Sequence, residues 1–199
     1  MITTLNLPDS IKLTSEAFLE FVAANPELQL ERTSTGELVI MSPTGGETGD
    51  SLRDSFASRN DEVSFQLRAW NKQTKLGKTF NSSTGFTLPN GATRAPDASW
   101  VRLDRWLALT SQQREAFPPC PDFVIELRSP SDNLKKLQAK MQQYVKQGGT
   151  LGWLIDPKTK QIEIYRQKRG KEILNQPTTL SGEDILPGFV LDWQSDFDA

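Results

Sequence analysis

Two apolar runs in the second half of the chain, separated by a helical pattern, constrain the fold most. Phe123–Leu127 and Leu151–Ile155 are apolar at nearly every position, which is typical of strands buried on both faces of a sheet. Between them, Ser-Pro-Ser-Asp at 129–132 ends the first strand and caps a helix running to about Gln147, where two glycines end it. This succession predicts a parallel βαβ unit inside a mixed sheet.

The other elements complete an α/β fold around that unit. A helix with Thr14 as its N-cap precedes a hairpin formed by Leu28–Glu31 and Glu37–Ile40. Further predicted elements are a long helix from about Glu47 to Trp70, strands at Lys78–Phe80, Gly85–Leu88 and Arg94–Val101, a helical stretch over Arg105–Glu115, and strands at Gln161–Arg166 and Glu172–Leu174. No repeat or linker interrupts the series, so residues 1–199 are expected to form one domain.

The chain contains no histidine and only one cysteine, Cys120. Their absence excludes Ser-His-Asp and Cys-His catalysis, zinc sites of the HExxH type and zinc sites with several thiolates. Carboxylates, lysines and oxygen-preferring ions such as Mg²⁺ or Mn²⁺ remain available for chemistry. The net charge of −2 gives no overall nucleic-acid-binding signature, so any such binding requires a local basic patch.

Glu126 is the residue in the apolar runs that most needs an explanation. A carboxylate in a strand buried on both faces costs several kcal/mol unless it is paired or bound to a metal. Asp97 begins another apolar strand, directly after Pro96. Two carboxylates on adjacent strands can share one hard cation, so Asp97 and Glu126 are the candidate metal ligands. The alternatives are that Asp97 is an ordinary strand-start residue and that Glu126 pairs with Arg128 on the same strand face.

Several motifs in fixed order give the chain a family resemblance. Pro96-Asp97 followed by Glu126-Leu127-Arg128 resembles the signature of PD-(D/E)XK nucleases, with Arg128 where lysine is usual. The wider set resembles a bacterial family of restriction-endonuclease-type proteins, once described as a domain of unknown function and abundant in cyanobacteria. Its segments are 41–47 (MSPTGGE), 94–98 (RAPDA), 124–132 (VIELRSPSD), 140–144 (KMQQY), 152–157 (GWLIDP) and 186–189 (LPGF).

The resemblance implies a restriction-endonuclease-like fold, a mixed central β-sheet flanked by helices, with an N-terminal helix and a β-hairpin. It implies Mg²⁺- or Mn²⁺-dependent hydrolysis of phosphodiester bonds, with nucleic acid, specifically DNA, as partner, and a homodimer as the assembly. Asp132 and Ser129 would help to orient the metal ligands without binding the ion themselves. We further expect a cytoplasmic protein, because neither a membrane span nor a secretory signal is recognisable.

The family places its catalytic lysine on the helix after the second motif strand, and helical geometry selects Lys140 for that role. At 100° per residue, Lys140 falls about 40° from Tyr144, at the edge of the buried stripe. Arg128 could supply part of the charge but could not act as a base. Glu47, at the start of the long helix, is a further candidate, although Thr48 follows it where the family has histidine. The alternatives are a Lys140 stem that packs along the core edge and a Glu47 that only interacts favourably with the helix dipole.

Two other functions fit the same residues. The chain could be a binding or assembly protein on a nuclease scaffold with weak or lost catalysis, which Arg128, Thr48 and the acidic net charge favour. It could instead act on another phosphorylated substrate. A buried pair of Glu126 with Arg128 or Lys140 that left no room for an ion would remove the metal hypothesis.

Overall fold

The computed structural model describes residues 2–5, 7–8, 11–41 and 56–192. In chain order, its elements are β1 (Ile2–Leu5), α1 (Ser15–Ala24), β2 (Gln29–Arg32), β3 (Leu38–Met41), α2 (Phe56–Thr74), β4 (Gly77–Asn81), β5 (Phe86–Thr87), β6 (Thr93–Arg94), β7 (Ala98–Arg102), α3 (Leu103–Ala108), α4 (Ser111–Glu115), β8 (Phe123–Leu127), α5 (Leu134–Lys146), β9 (Leu151–Asp156), β10 (Gln161–Arg166), β11 (Arg169–Asn175), β12 (Thr179–Ser181) and β13 (Val190–Asp192).

The central sheet has six strands in the order β11-β10-β9-β8-β7-β4. β8 and β9 run parallel and are joined by α5, which confirms the predicted βαβ unit. The other neighbouring pairs are antiparallel, so the sheet is mixed, as predicted. No helix in the described part of the chain combines the length and apolar character needed to cross a membrane.

Strand β8 is buried at every position because helices cover both faces of the central sheet. Phe123, Ile125 and Leu127 pack in the core cluster that includes Val63 and Leu67 of α2. Val124 points to the opposite face and packs with the side chains of α5. Because side chains alternate along a strand, Glu126 shares the face of Val124 and lies under α5.

A second sheet, in the order β1-β3-β2-β6-β5, contains the predicted hairpin. β2 and β3 pair antiparallel, and the turn between them includes Gly36 at φ 86°. Helix α1 packs beside this sheet through Phe18, and the Thr14 side chain accepts a hydrogen bond from the Ala17 N–H, as predicted for an N-cap. The N-terminal helix and hairpin are therefore confirmed.

The segment from β4 to β7 differs from the prediction, because the chain changes sheets within it. β4 joins the central sheet, whereas β5 and β6 join the hairpin sheet, so the strands predicted at Lys78–Phe80 and Gly85–Leu88 belong to different sheets. The strand predicted at Arg94–Val101 divides into β6 and β7 around Pro96, which has no N–H to donate. This crossing brings residues 94–97 to the junction of the two sheets.

Three helix boundaries also differ from the prediction. The stretch at Arg105–Glu115 forms two helices, because Thr110 and Gln113 form a capping box that starts α4. The N-cap of α5 is Asn133, whereas Asp132 accepts a hydrogen bond from the Ser129 N–H. Helix α2 continues past Trp70 to Thr74, and its predicted start at Glu47 lies outside the described residues.

Candidate active site

Glu126 is buried beneath α5, with a relative exposure of 4%, and two side chains of that helix bind it. The Lys140 ammonium lies 2.8 Å from Glu126 Oε1 and donates to Oε2 at 3.0 Å. The Tyr144 hydroxyl donates to Oε1 at 3.1 Å. Both oxygens of Glu126 therefore have a hydrogen-bond donor, as buried polar atoms require.

Asp97 stands beside Glu126 at the start of the neighbouring strand. Ala98 pairs with Ile125 in the β7–β8 register, and one further step of that register sets Asp97 opposite Glu126. Opposed residues of an antiparallel pair share a sheet face, so both carboxylates lie on the α5 side. Asp97 Oδ2 accepts the Leu127 N–H at 2.7 Å, while Oδ1 receives no hydrogen bond from the described residues.

Lys140 has no donor left over in this arrangement, since an ammonium carries three N–H bonds. Besides Glu126, it contacts Glu31 Oε1 at 2.7 Å and the Ala95 carbonyl oxygen at 3.0 Å. It is 9% exposed. Lys140 thus reaches the carboxylate end of the sheet, as the helical wheel predicts, and it does more than pack its stem along the core edge.

Glu31 is a member of the cluster that the sequence does not reveal directly. It comes from β2, is 3% exposed, and accepts the Ala95 N–H at 2.9 Å through Oε1. Its Oε2 accepts a 2.9 Å hydrogen bond from Arg94, whose Nε donates to Gln143 of α5 at 2.7 Å. The two sheets and α5 therefore meet around Glu31.

A sequence signal for Glu31 exists, although it is weak. Glu31 pairs with Val39 in the hairpin, and Leu38-Val39-Ile40 are apolar at three successive positions. Such a run indicates that both faces of the hairpin are covered, so an acid opposite Val39 is buried. Tyr144 is the second partner missed; its place in the buried stripe of α5 implies a hydroxyl that needs a hydrogen-bond partner.

Burial and the neighbouring charges shift the pKa values of all three buried acids. Burial raises the pKa of Glu126 to about 8, with Asp97 and Glu31 adding to the rise and Lys140 opposing it. Burial likewise raises the pKa of Asp97 to about 6. Burial also opposes ionisation of Glu31, but Lys140 and Arg94 hold its pKa below the ordinary value. The site therefore has too little positive charge for three ionised carboxylates.

The same charges keep Lys140 protonated. Burial acts to lower its pKa, yet Glu126 and Glu31 together raise the pKa above the ordinary value. Burial and the neighbouring Glu126 raise the pKa of the Tyr144 hydroxyl as well. Both groups are hydrogen-bond donors at neutral pH, and neither is a base.

Arg128 is not brought into this cluster. The Arg128 guanidinium forms an ion pair with Asp156 at 2.6 Å rather than with Glu126, so the alternative in which Glu126 pairs with Arg128 is wrong. Arg128 follows Glu126 by only two positions, but β8 ends at Leu127. The Arg128 N–H donates a hydrogen bond to the carbonyl oxygen of Ile155 in β9. Glu47 lies outside the described residues. Ser129 and Asp132 form the turn after β8, and the Asp132 charge contributes to the raised pKa of Asp97.

The donor set fits a hard divalent ion held by two carboxylates. Asp97 and Glu126 are adjacent oxygen donors whose raised pKa values reflect a shortage of positive charge, which a cation would relieve. Lys140 and Tyr144 do not exhaust the lone pairs of Glu126, since a carboxylate has about four acceptor sites. Among the described residues, no group of three or more acidic, histidine or cysteine side chains could hold an ion.

The fold and the site define a restriction-endonuclease-like α/β protein. A crystal structure at 1.96 Å of a protein from Anabaena variabilis ATCC 29413, described as a "putative nuclease belonging to DUF820", is similar to it. The TM-score is 0.73 at 20% identity, over 94% of this chain and 98% of the other. This likeness establishes the fold.

The chain belongs to the Uma2 family, described as "Putative restriction endonuclease", whose model matches residues 15–194. The match covers all the motifs that carry the resemblance, and family membership supports a nuclease-like function. No curated protein matches the chain significantly.

Proposed function

We propose that this protein is a divalent-metal-dependent endonuclease that hydrolyses phosphodiester bonds of DNA. The observation that carries the proposal is the adjacency of two carboxylates with raised pKa values, Asp97 and Glu126, to a buried cation, Lys140. Membership in a restriction-endonuclease family supports the reaction class. Asp97 and Glu126 would hold Mg²⁺ or Mn²⁺.

The bound ion would supply polarisation of the phosphodiester and activation of water. Lys140 contributes a fixed positive charge near the developing charge of the phosphate, because its raised pKa keeps it protonated. It reaches a phosphate oxygen by exchanging one of its three present contacts, to Glu126, Glu31 or Ala95. Tyr144 continues to hold Glu126 through Oε1 during that exchange.

We assign the lysine role to Lys140 rather than Arg128, because only Lys140 contacts Glu126. Lys140→Met should abolish cleavage by the molecules that remain folded, whereas Arg128→Met, which loses only the Asp156 pair, should reduce cleavage much less. Initial rates normalised to folded protein measure the difference. Equal losses of activity would refute the assignment.

A cleavage assay with matched variants tests the proposal as a whole. Supercoiled and linear DNA are incubated with the full chain and Mg²⁺ or Mn²⁺, with EDTA as the blank. Asp97→Asn and Glu126→Gln should reduce cleavage to the EDTA level, whereas Asp104→Asn, an exposed acid on α3, should leave it unchanged. Cleavage that persists in Asp97→Asn would contradict the site assignment.

Metal binding has its own readout. Mn²⁺ titration followed by electron paramagnetic resonance should show binding by the native chain and loss of binding in Asp97→Asn.

Analytical ultracentrifugation of the same samples tests the proposed homodimer, in which two sites that each cut one strand would act together.

The alternative of a nuclease-fold binding protein with weak or lost catalysis has one observation in its favour. Lys140 neutralises two acids and has no donor free in the arrangement described, as in a site built for stability. Mn²⁺ binding without cleavage of single-stranded or double-stranded DNA would favour this alternative.

A further inference from the structure

A groove of about 470 Å³ lies between α5 and the hairpin sheet, beside the candidate active site. It is lined by the face of α5 from Lys136 to Lys146, by Gln147 directly after that helix, and by Glu31, Val39 and Asn90. We call this feature the α5 groove. Glu31 and Lys140 belong to both the groove and the carboxylate cluster, so the two are continuous.

The α5 groove is basic in a chain with a net charge of −2. Lys136, Lys140, Lys146 and Arg94 line it, and Glu31 is the one acidic group among the described lining residues. Lys140 and Arg94 already neutralise Glu31, so the exposed Lys136 and Lys146 remain to attract an anion. This is the local basic patch that nucleic-acid binding by such a chain requires.

The spacing of the lysines indicates an extended anion rather than a single phosphate. Lys136 and Lys146 are ten residues apart on one helix, which corresponds to about 15 Å along its axis. Phosphates recur about every 3.4 Å along a stacked strand, so this length spans roughly four nucleotides. Lys140 lies between the two, next to Glu126.

The size of the α5 groove favours one strand over a duplex, and its lining determines which part of the strand it could bind. Its volume falls within the roughly 300–1,000 Å³ that is typical of sites for small ligands, which is too small for a double helix. No aromatic side chain is among its described lining residues, so bases have no stacking platform there. The amides of Gln143 and Gln147 can hydrogen-bond phosphate or sugar oxygens.

We propose that the α5 groove binds a single nucleic-acid strand through its phosphates and leads that strand to Lys140 and the paired carboxylates. The inference rests on the proposed nuclease function and specifies its substrate as a single-stranded or locally unpaired segment. Recognition would be tolerant of sequence, because the contacts are made to the backbone.

Fluorescence anisotropy with labelled oligo(dT) in EDTA tests the proposal without cleavage. The full chain is compared with the double variant Lys136→Gln/Lys146→Gln across a series of KCl concentrations. The double variant should bind at least about tenfold more weakly, and its salt slope should fall by about 1.4, since each phosphate contact on a single strand contributes about 0.7.

Lys135→Gln is the matched control, because Lys135 is an exposed lysine of α5 that does not line the groove. It should bind oligo(dT) as the native chain does, and a duplex of equal length should compete poorly. Equal loss of affinity in the control, unchanged affinity in the double variant, or tighter binding of the duplex would overturn the proposal. Oligo(dT) binding through the groove without any metal-dependent cleavage would refute the nuclease proposal alone.

Discussion

The shared position of Lys140 between two acids from different sheets is the main energetic feature at the scale of single residues. Glu31 and Glu126 are both almost completely buried, and each relies on the same ammonium. Removing one partner of a buried ion pair leaves an uncompensated charge, which costs far more than an exposed pair is worth.

Lys140→Met should therefore lower the free energy of unfolding at pH 7 by roughly 3–5 kcal/mol. The loss should shrink at pH 5, where Glu31, deprived of Lys140, can take up a proton instead. Urea unfolding at both pH values measures the effect, with Lys135→Met, an exposed position of the same helix, as the control. An equal, small loss in both variants would show that the buried pairing contributes little.

Between about pH 5 and 8, the metal-free protein should lose stability as the pH rises. The folded state keeps the proton of Glu126 up to a pKa of about 8 and that of Asp97 up to about 6, whereas the unfolded chain releases both near their ordinary values of 4.5 and 3.8. Between about pH 5 and 8, the folded state thus binds more protons than the unfolded chain does. The stability that these two protons contribute is therefore present at the low end of this range and lost towards the high end.

Calorimetric Tm values in EDTA from pH 5 to 8 should fall for the native chain. Glu126→Gln should flatten the upper part of this dependence, whereas Glu20→Gln, an exposed change on α1, should leave it as it is. A Tm that rises with pH over this range would contradict the proton assignment.

The position of α5 on the central sheet determines the site at the scale of secondary-structure elements. A Cβ atom at Gly152 of β9 would lie 2.5 Å from Met141 Cε and 3.0 Å from Val124 Cγ2. Gly152 therefore lets α5 pack close to the sheet, at the residue next to Lys140. This close packing allows Lys140 to reach Glu126.

Gly152→Ala should force α5 outward or repack Met141, at a cost of about 1–3 kcal/mol in unfolding free energy. Because Lys140 would move with the helix, DNA cleavage should fall as well. Gly170→Ala, on the exposed strand β11 with no atom near the added methyl group, is the control for both measurements. Unchanged stability in Gly152→Ala would show that the helix position is not limited by this contact.

The elements that follow one another locally are the ones that the sequence predicts well. β8, α5 and β9 form a consecutive unit with clear periodicity, and the wheel of α5 alone orients Lys140 correctly. Short polar stretches carry less information. Three successive residues are suitable N-caps for α5, namely Ser131, Asp132 and Asn133. In the structure Asp132 accepts the Ser129 N–H instead, and Asn133 is the N-cap.

Contacts between distant segments are the part that the sequence does not predict. Glu31 lies in a short strand whose apolar pairing partner gives only a weak signal of burial, and its ion-pair partner Lys140 is far along the chain. The change of sheets at Pro96 is invisible for the same reason, since one stretch of strand-forming residues can serve two sheets. Arg128 is a further example, because it pairs with Asp156 of the neighbouring strand rather than with Glu126, which is near it in the sequence.

For the whole molecule, a bound divalent ion should act as a stabiliser. A ligand that binds only the folded state raises the unfolding free energy with its concentration. Millimolar Mn²⁺ should therefore raise the Tm of the native chain but not that of Asp97→Asn, and the rise should be larger at pH 8 than at pH 6, because the ion competes with the protons on Asp97 and Glu126. Identical Tm shifts in both proteins would mean that the ion binds elsewhere.

The meeting of the hairpin sheet, the central sheet and α5 at Lys140 also has a consequence during synthesis. Glu31 is made early, Asp97 near the middle, and Lys140 in the last third of the chain. A growing chain on the ribosome therefore has no complete site until α5 emerges and the two sheets have docked around it. The proposed nuclease activity would therefore require nearly complete folding of the chain.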